Sequence, residues 1–322
     1  MRKALCIGID FYTSGNHLNG CVNDAVAMQE ALEFHEDESR NFETRLLAAY
    51  NEDTAIDDVS LASYIDWLFE GSPDIALLYF SGHGSFTGAE GYLCPSNFGG
   101  KYTGVSMSNL IKAAADSKAR NKVIILDCCH SGAAGNTYFS RSISELPEDT
   151  VILAGCSQDG YSMESEGQGV FTGLFIEALS GAGSNILGEV SPGSIYAYID
   201  KSLGAFEQRP VFKANVKSFI SLKKNKPLVS LKELRLLTKY FKYPNYKYSL
   251  DPTYEEDKHH TENKDVNKAH EEIFATLRKF EKLGLITPVD EEYMYWAAIH
   301  STGCKLTAQG KHYWQMIHKG LI

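Results

Sequence analysis

Lys122-Val-Ile-Ile-Leu-Asp-Cys-Cys-His-Ser-Gly132 is the stretch on which the reading of this chain turns. An unbroken apolar run stops at Asp127, and two thiols, an imidazole and a small-residue turn follow. Upstream, Ile75-Ala-Leu-Leu-Tyr-Phe-Ser-Gly-His-Gly84 has the same form. Short apolar runs without alternation are what parallel strands buried on both faces produce. The carboxyl ends of such strands are where α/β proteins set their chemistry. A cysteine at one strand end and a histidine at another point to a cysteine hydrolase.

Outward from these two segments, residues 1–222 alternate between strand and helix patterns. Strands are predicted at Ala4–Ile9, Thr44–Ala48, Ile75–Phe80, Lys122–Leu126, Thr150–Ala154 and Ser218–Leu222. Helices are predicted at Asn23–Phe34, Val59–Phe69, Met107–Ser117, Phe171–Leu179 and Ser194–Ser202. Asn23 or Asp24 is a candidate cap for the first helix, and Ser191-Pro192 reads as the start signal of the last. The alternation predicts an α/β fold with a mostly parallel six-stranded sheet flanked by helices.

Composition changes at Lys223-Lys-Asn-Lys-Pro227, which reads as a linker. The predicted division is 1–222 and 223–322. The second part holds a charged loop at Asp251–Asp265 and an amphipathic helix at His270–Leu283, ended by Gly284. A strand at Tyr293–His300 and a helix at Thr307–His318 complete it. The run Leu277–Trp314 resembles a small α+β winged-helix module. Such modules often bind DNA, but the helix mixes Arg278, Lys279 and Lys282 with Glu271, Glu272 and Glu281. A protein partner is therefore expected, not nucleic acid.

The 322 residues carry a net charge of −10, spread unevenly. Residues 221–322 hold 17 Lys and Arg against 13 Asp and Glu; residues 1–220 hold 14 against 28. An acidic body disfavours nucleic acid and suits basic substrates. No stretch approaches the roughly 20 apolar residues of a membrane helix, and the basic N-terminus lacks a signal-peptide core. A cytoplasmic protein without membrane attachment is expected. The seven cysteines are odd in number and form no CxxC, which argues against a disulfide scaffold or a zinc ribbon.

A thiol attacks a carbonyl as thiolate, and an imidazole can take its proton and return one to the leaving amine. His83, between Gly82 and Gly84, is the better base; His130 sits beside the thiols in sequence and faces elsewhere. The glycines are expected to let the chain turn sharply and approach a substrate closely. The Gly84 N–H is a candidate oxyanion donor with the nucleophile's own N–H. Of Cys128 and Cys129, one faces the cleft and the other is buried, and periodicity does not say which. Adjacent ligands at Cys128-Cys129-His130 make a poor metal site.

Tyr79-Phe-Ser-Gly-His-Gly84 and Asp127-Cys-Cys-His-Ser-Gly132 resemble the signature segments of caspase-like cysteine peptidases, specifically metacaspases and their bacterial relatives. Leu18-Asn-Gly-Cys-Val-Asn-Asp-Ala25, Gly169-Val-Phe-Thr-Gly173 and Gln208-Arg-Pro-Val-Phe212 fit the same pattern. The resemblance spans about residues 1–222 and implies the caspase-like fold. It implies Cys129 as nucleophile and His83 as base. It also implies a pocket for a basic P1 residue built from Asp24, Ser81 and Asp127, where carboxylates pair with Arg or Lys. The Gln-Ala-Cys segment of Asp-directed caspases is absent. Arg141, in the polar loop Gly132–Asp149, is implied as a self-cleavage site. Tyr102–Asn109 carries no carboxylate where many metacaspases bind calcium, so no metal or other cofactor is expected. A role in a stress or defence system follows from the resemblance alone. The competing expectation is a catalytically silent adaptor acting through the C-terminal module. A serine hydrolase and a nucleotide-binding protein are disfavoured, because no GxSxG elbow, Walker A motif or dinucleotide fingerprint occurs.

Overall fold

The computed structural model describes residues 1–87, 90–99, 104–130, 146–155, 164–165, 168–204, 209–255 and 267–322. For Thr87, Cys129, His130, Glu164, Ser165 and Gln168 it describes the main chain alone. The chain divides into two compact units, Met1–Lys226 and Pro227–Ile322.

In the first unit the apolar runs become β1 (Arg2–Ile9), β2 (Glu43–Ala49), β3 (Ile75–Thr87), β6 (Asn121–His130) and β7 (Thr150–Ala154). Between them lie α1 (Cys21–Glu33), α2 (Asp58–Phe69), the short strands β4 (Glu90–Leu93) and β5 (Val105–Ser106), and α3 (Met107–Asp116). A small hairpin of β8 (Glu164–Ser165) and β9 (Gln168–Gly169) leads into α4 (Val170–Glu177). Then come β10 (Glu189–Val190), α5 (Pro192–Ser202) and β11 (Val211–Asn215). The sheet order is β11-β7-β6-β3-β1-β2, with β4 and β5 appended to β3. Five strands are parallel and β11 is antiparallel to β7.

Strand alternation feeds two cores, one on each face. Leu5, Ile7, Leu78, Phe80, Leu126 and Cys128 pack against α2 and α3. Ala4, Cys6, Leu77, Tyr79, Val123 and Ile125 pack against α1, α4 and α5. At about 25 cal/mol per Å² of apolar area removed from water, this two-sided burial is what holds the sheet. β1 leads to β2 on one side, and the chain returns to β3 on the other. The strand order therefore reverses beside β1, and a crevice opens at the carboxyl ends of β1 and β3.

Three expectations are corrected. The predicted last strand at Ser218–Leu222 is not in the large sheet; that place belongs to β11. β11 is a half-exposed edge strand with no long apolar run, whereas Leu222 is buried without lying in a strand. Neither Asn23 nor Asp24 caps α1. The helix begins at Cys21, and Asp10 at the end of β1 accepts from the N–H groups of Cys21 at 2.9 Å and Val22 at 3.4 Å. A carboxylate at a helix N-terminus meets unpaired N–H groups and the positive dipole end. Third, Tyr293–His300 is not a strand; Met294–Ile299 is a helix. Ser191 does cap α5, in a capping box with Ser194.

The second unit holds Lys268–Lys282 and Ala308–His318 as its longest helices. Its three-stranded antiparallel sheet has Cys304–Leu306 between Lys247–Tyr248 and Ile286–Pro288. Phe274, Leu277 and Phe280 bury the apolar stripe of the first helix, and Gly284 follows with φ of 69°, a left-handed stop. No described helix is long and apolar enough to cross a membrane.

Candidate active site

The parallel register of β3 with β6 sets the site. Ser81 stands opposite Asp127, Gly82 opposite Cys128, and His83 opposite Cys129. Neighbouring strands lie about 4.8 Å apart, so His83 and Cys129 occupy adjoining main-chain positions. Cys128 is buried in the core shared with α2 and α3. The Cys129 side chain lies outside the described residues, as does Arg141.

His83 is oriented from the loop that follows β1. Its Nε2 lies 2.9 Å from the main-chain oxygen of Asn16. An amide oxygen only accepts, so Nε2 carries the hydrogen and the neutral ring keeps Nδ1 as its acceptor. The His83 main-chain N–H donates to the Tyr12 hydroxyl at 2.7 Å, and the two rings lie 4.5 Å apart. Sequence reasoning missed both Asn16 and Tyr12; one acts through its main chain and the other is a lone aromatic without motif.

The flanking glycines are not turn residues, contrary to expectation. β3 runs extended through Gly82 and Gly84, and neither has positive φ. A Cβ on Gly82 would lie 2.7 Å from the Tyr12 hydroxyl. Close approach, not freedom to turn, explains the glycine.

Two residues back along each strand, a second cluster gathers. Asp24 is buried near the start of α1 and accepts from the Gly169 N–H at 3.1 Å. Asp127 accepts from the Thr172 hydroxyl at 2.7 Å, and Thr172 in turn accepts from the Tyr79 hydroxyl at 2.6 Å. Ser81 is buried beside them, and its hydroxyl favours the ionised form of both the Asp24 carboxyl and the Cys21 thiol, against the larger upward push of burial. Both carboxylates reach toward Gly169: a Cβ there would lie 3.0 Å from an oxygen of each. The structure thus brings Asp24, Asp127 and Ser81 together. Thr172, Tyr79 and Gly169 complete the cluster; Gly169 and Thr172 sit in the quoted segment Gly169–Gly173, without a role assigned there.

Burial, and then the proximity of Asp127, push the Asp24 carboxyl up to about 7. Burial also pushes Asp127 up, against the Thr172 hydrogen bond, and pushes Asp10 up. Like charges in a dry site resist joint ionisation. Among the described residues no Lys or Arg pairs with Asp24 or Asp127. Such a pair is chemically suited to receive a cation. Among the described residues, no group of three or more His, Cys, Asp or Glu is arranged to hold a metal ion.

The family model described as Caspase domain matches residues 1–220. Metacaspase-1 of Cryptococcus neoformans var. neoformans serotype D (strain JEC21) is 26% identical over 207 residues, covering 59% of this chain and 44% of that protein. Metacaspase-3 of Trypanosoma cruzi (strain CL Brener) is 27% identical over 204 residues, covering 52% and 56%. The chain spans about half the length of the curated relatives it matches. Among solved structures, Caspase-1 from Spodoptera frugiperda superposes with a TM-score of 0.51 at 15% identity, over 69% of this chain and 90% of that one. At that identity the likeness is one of fold.

Proposed function

This chain belongs to the Caspase domain family of peptidases, and from that premise we propose that it is a cysteine endopeptidase cleaving after Arg or Lys. Cys129 is the nucleophile, because Cys128, its only rival in the segment, is committed to the core. His83 Nδ1 takes the thiol proton, and the thiolate attacks the scissile carbonyl carbon. The resulting oxyanion accepts from the N–H groups of Gly84 and Cys129. The imidazolium then protonates the departing amine, and water hydrolyses the thioester with His83 as base. Asp24 and Asp127 receive the P1 cation, with Ser81 as a further polar contact. No cofactor enters these steps.

One observation carries this reading. A single register sets Ser81 against Asp127 and His83 against Cys129, so specificity groups and reacting groups lie two residues apart on the same pair of strands. At about 3.3 Å per residue the two pairs lie about 6.6 Å apart, two extended residues along the strands. This spacing suits a P1 side chain entering beside its own scissile carbonyl.

For residues 223–322 the proposed role is protein interaction within a winged-helix-like module. Two of the four Lys and Arg side chains on the helix Lys268–Lys282 are already ion-paired, Arg278 with Glu255 and Lys279 with Glu233. With Glu271, Glu272 and Glu281 on the same helix, little net positive charge remains there for a phosphate backbone. The proposed setting, a stress or defence system in a bacterial cytoplasm, rests on resemblance to the family.

The test is hydrolysis of paired fluorogenic peptides with Arg or Asp at P1. Cys129→Ala abolishes cleavage of the Arg peptide, Cys128→Ala preserves most of it, and the Asp peptide is poor throughout. Full activity in Cys129→Ala defeats the assignment. It would leave the adaptor reading or a different nucleophile.

A further inference from the structure

Tyr12 fills a gap that the sheet leaves beside His83. β1 accompanies β3 only as far as the pairing of Gly8 with Ser81. β4 takes over from Gly84, paired with Leu93. Between them, the carbonyl of His83 accepts from the Cys94 N–H at 3.1 Å. Its N–H has no strand partner there and donates to the Tyr12 hydroxyl instead. Tyr12 is 2% exposed, and burial keeps its phenol neutral by pushing its pKa well up.

The loop that carries Tyr12 is itself tied down. Both the N–H and the hydroxyl of Thr13 donate to the Ser96 carbonyl, at 2.8 and 3.3 Å. The Leu18 N–H donates to the Asp10 carbonyl at 2.8 Å, and His17 stacks on Phe11 at 5.0 Å. This loop holds the imidazole at both ends: the phenol at its main chain, the Asn16 carbonyl at its Nε2. Proton transfer is steep in distance and angle, so a base must be held in place before substrate arrives.

We propose that Tyr12 is a positioning residue for His83, its hydroxyl serving as the missing strand partner that fixes the main chain from which the base projects. This rests on the reading of His83 as the general base. The missing Cβ of Gly82 belongs to the same device, because a methyl group there would meet the Tyr12 oxygen at 2.7 Å.

The experiment uses the full chain with Tyr12→Phe, which keeps the ring against the imidazole and removes only the hydroxyl. Two readouts are taken. One is kcat and KM on the Arg-P1 peptide. The other is the pH profile of Cys129 alkylation by iodoacetamide, followed by mass of the Cys129 peptide. A base displaced by the loss of this contact costs a rate fall of roughly ten- to hundredfold. That fall is expected in kcat with KM little changed, together with an alkylation profile moved to higher pH. Gly82→Ala, which disturbs the same contact from the other side, gives the same signature. An unchanged kcat with an unchanged profile overturns the proposal. So does a loss of activity that follows the Tm and disappears on cooling, because a purely structural residue behaves that way. If the wild type shows neither Arg-P1 hydrolysis nor Cys129 alkylation faster than at its other thiols, the peptidase reading itself falls, and this inference with it.

Discussion

Replacing Asp24 with Asn should make the protein more stable and far less active, and the two changes share one cause. In the folded chain the Asp24 carboxyl sits at about 7, against an ordinary 3.8. A gap of that size corresponds to at most about 4 kcal/mol, less whatever solvent screens. The sign follows from linkage. A carboxyl whose folded pKa is raised supports the fold fully only below 3.8, and that support is lost as pH rises to about 7. Above 7 both states are ionised and the loss is constant. Asn does not titrate, and its oxygen can still accept from Gly169. The stability difference between Asp24→Asn and wild type should therefore be near zero below pH 4. It should grow in favour of Asn through pH 7 and then level off, as read from denaturant midpoints across that range. In the same protein, kcat/KM for the Arg-P1 peptide should fall roughly a hundredfold or more, because a buried cation loses one of two partners. Cys129 alkylation should continue unchanged. A variant that is less stable at pH 8, or a stability difference flat with pH, refutes the upward shift of the Asp24 carboxyl. Retained Arg-P1 cleavage refutes the pocket.

Gly169→Ala inserts a methyl group 3.0 Å from both Asp24 and Asp127, and overpacking of this kind costs about 1–3 kcal/mol. Arg-P1 turnover should drop at least roughly tenfold while Cys129 alkylation persists; equal turnover would show that the carboxylates need not converge there. Arg141→Ala should leave the chain uncut during incubation that fragments the wild type, followed by gel and intact mass; identical fragments would place processing elsewhere.

Much of the fold was legible because buried parallel strands write themselves as uninterrupted apolar runs. Thr150–Ala154 was read to the residue, and β1, β2, β3 and β6 were read in place, although β3 and β6 continue past their apolar stretches into the site. The edge strand β11 was missed for the complementary reason. It is half exposed, includes Lys213 and Asn215, and draws its stability from pairing with β7. Met294–Ile299 was misread because Tyr, Trp and Ile favour strands, and tertiary packing overrode that weak preference. The capping role of Asp10 was hidden because its helix starts eleven residues downstream. In the site, motif residues were visible as types at strand ends, but their supports were not. Thr172 and Tyr79 reach Asp127 by a relay of hydroxyls whose members lie far apart in the chain.

That His83 leans on the carbonyl of Asn16, rather than on an acidic side chain, carries a genetic consequence. An oxygen of the backbone survives every substitution at its own position. Alanine scanning would pass over residue 16 without a signal, and a survey of variable and invariant columns would give it no weight. What selection can see are the residues that bend the path of the loop, so lesions in proton handling should surface at Thr13, His17 and Leu18, none of which touches the imidazole through a side-chain hydrogen bond.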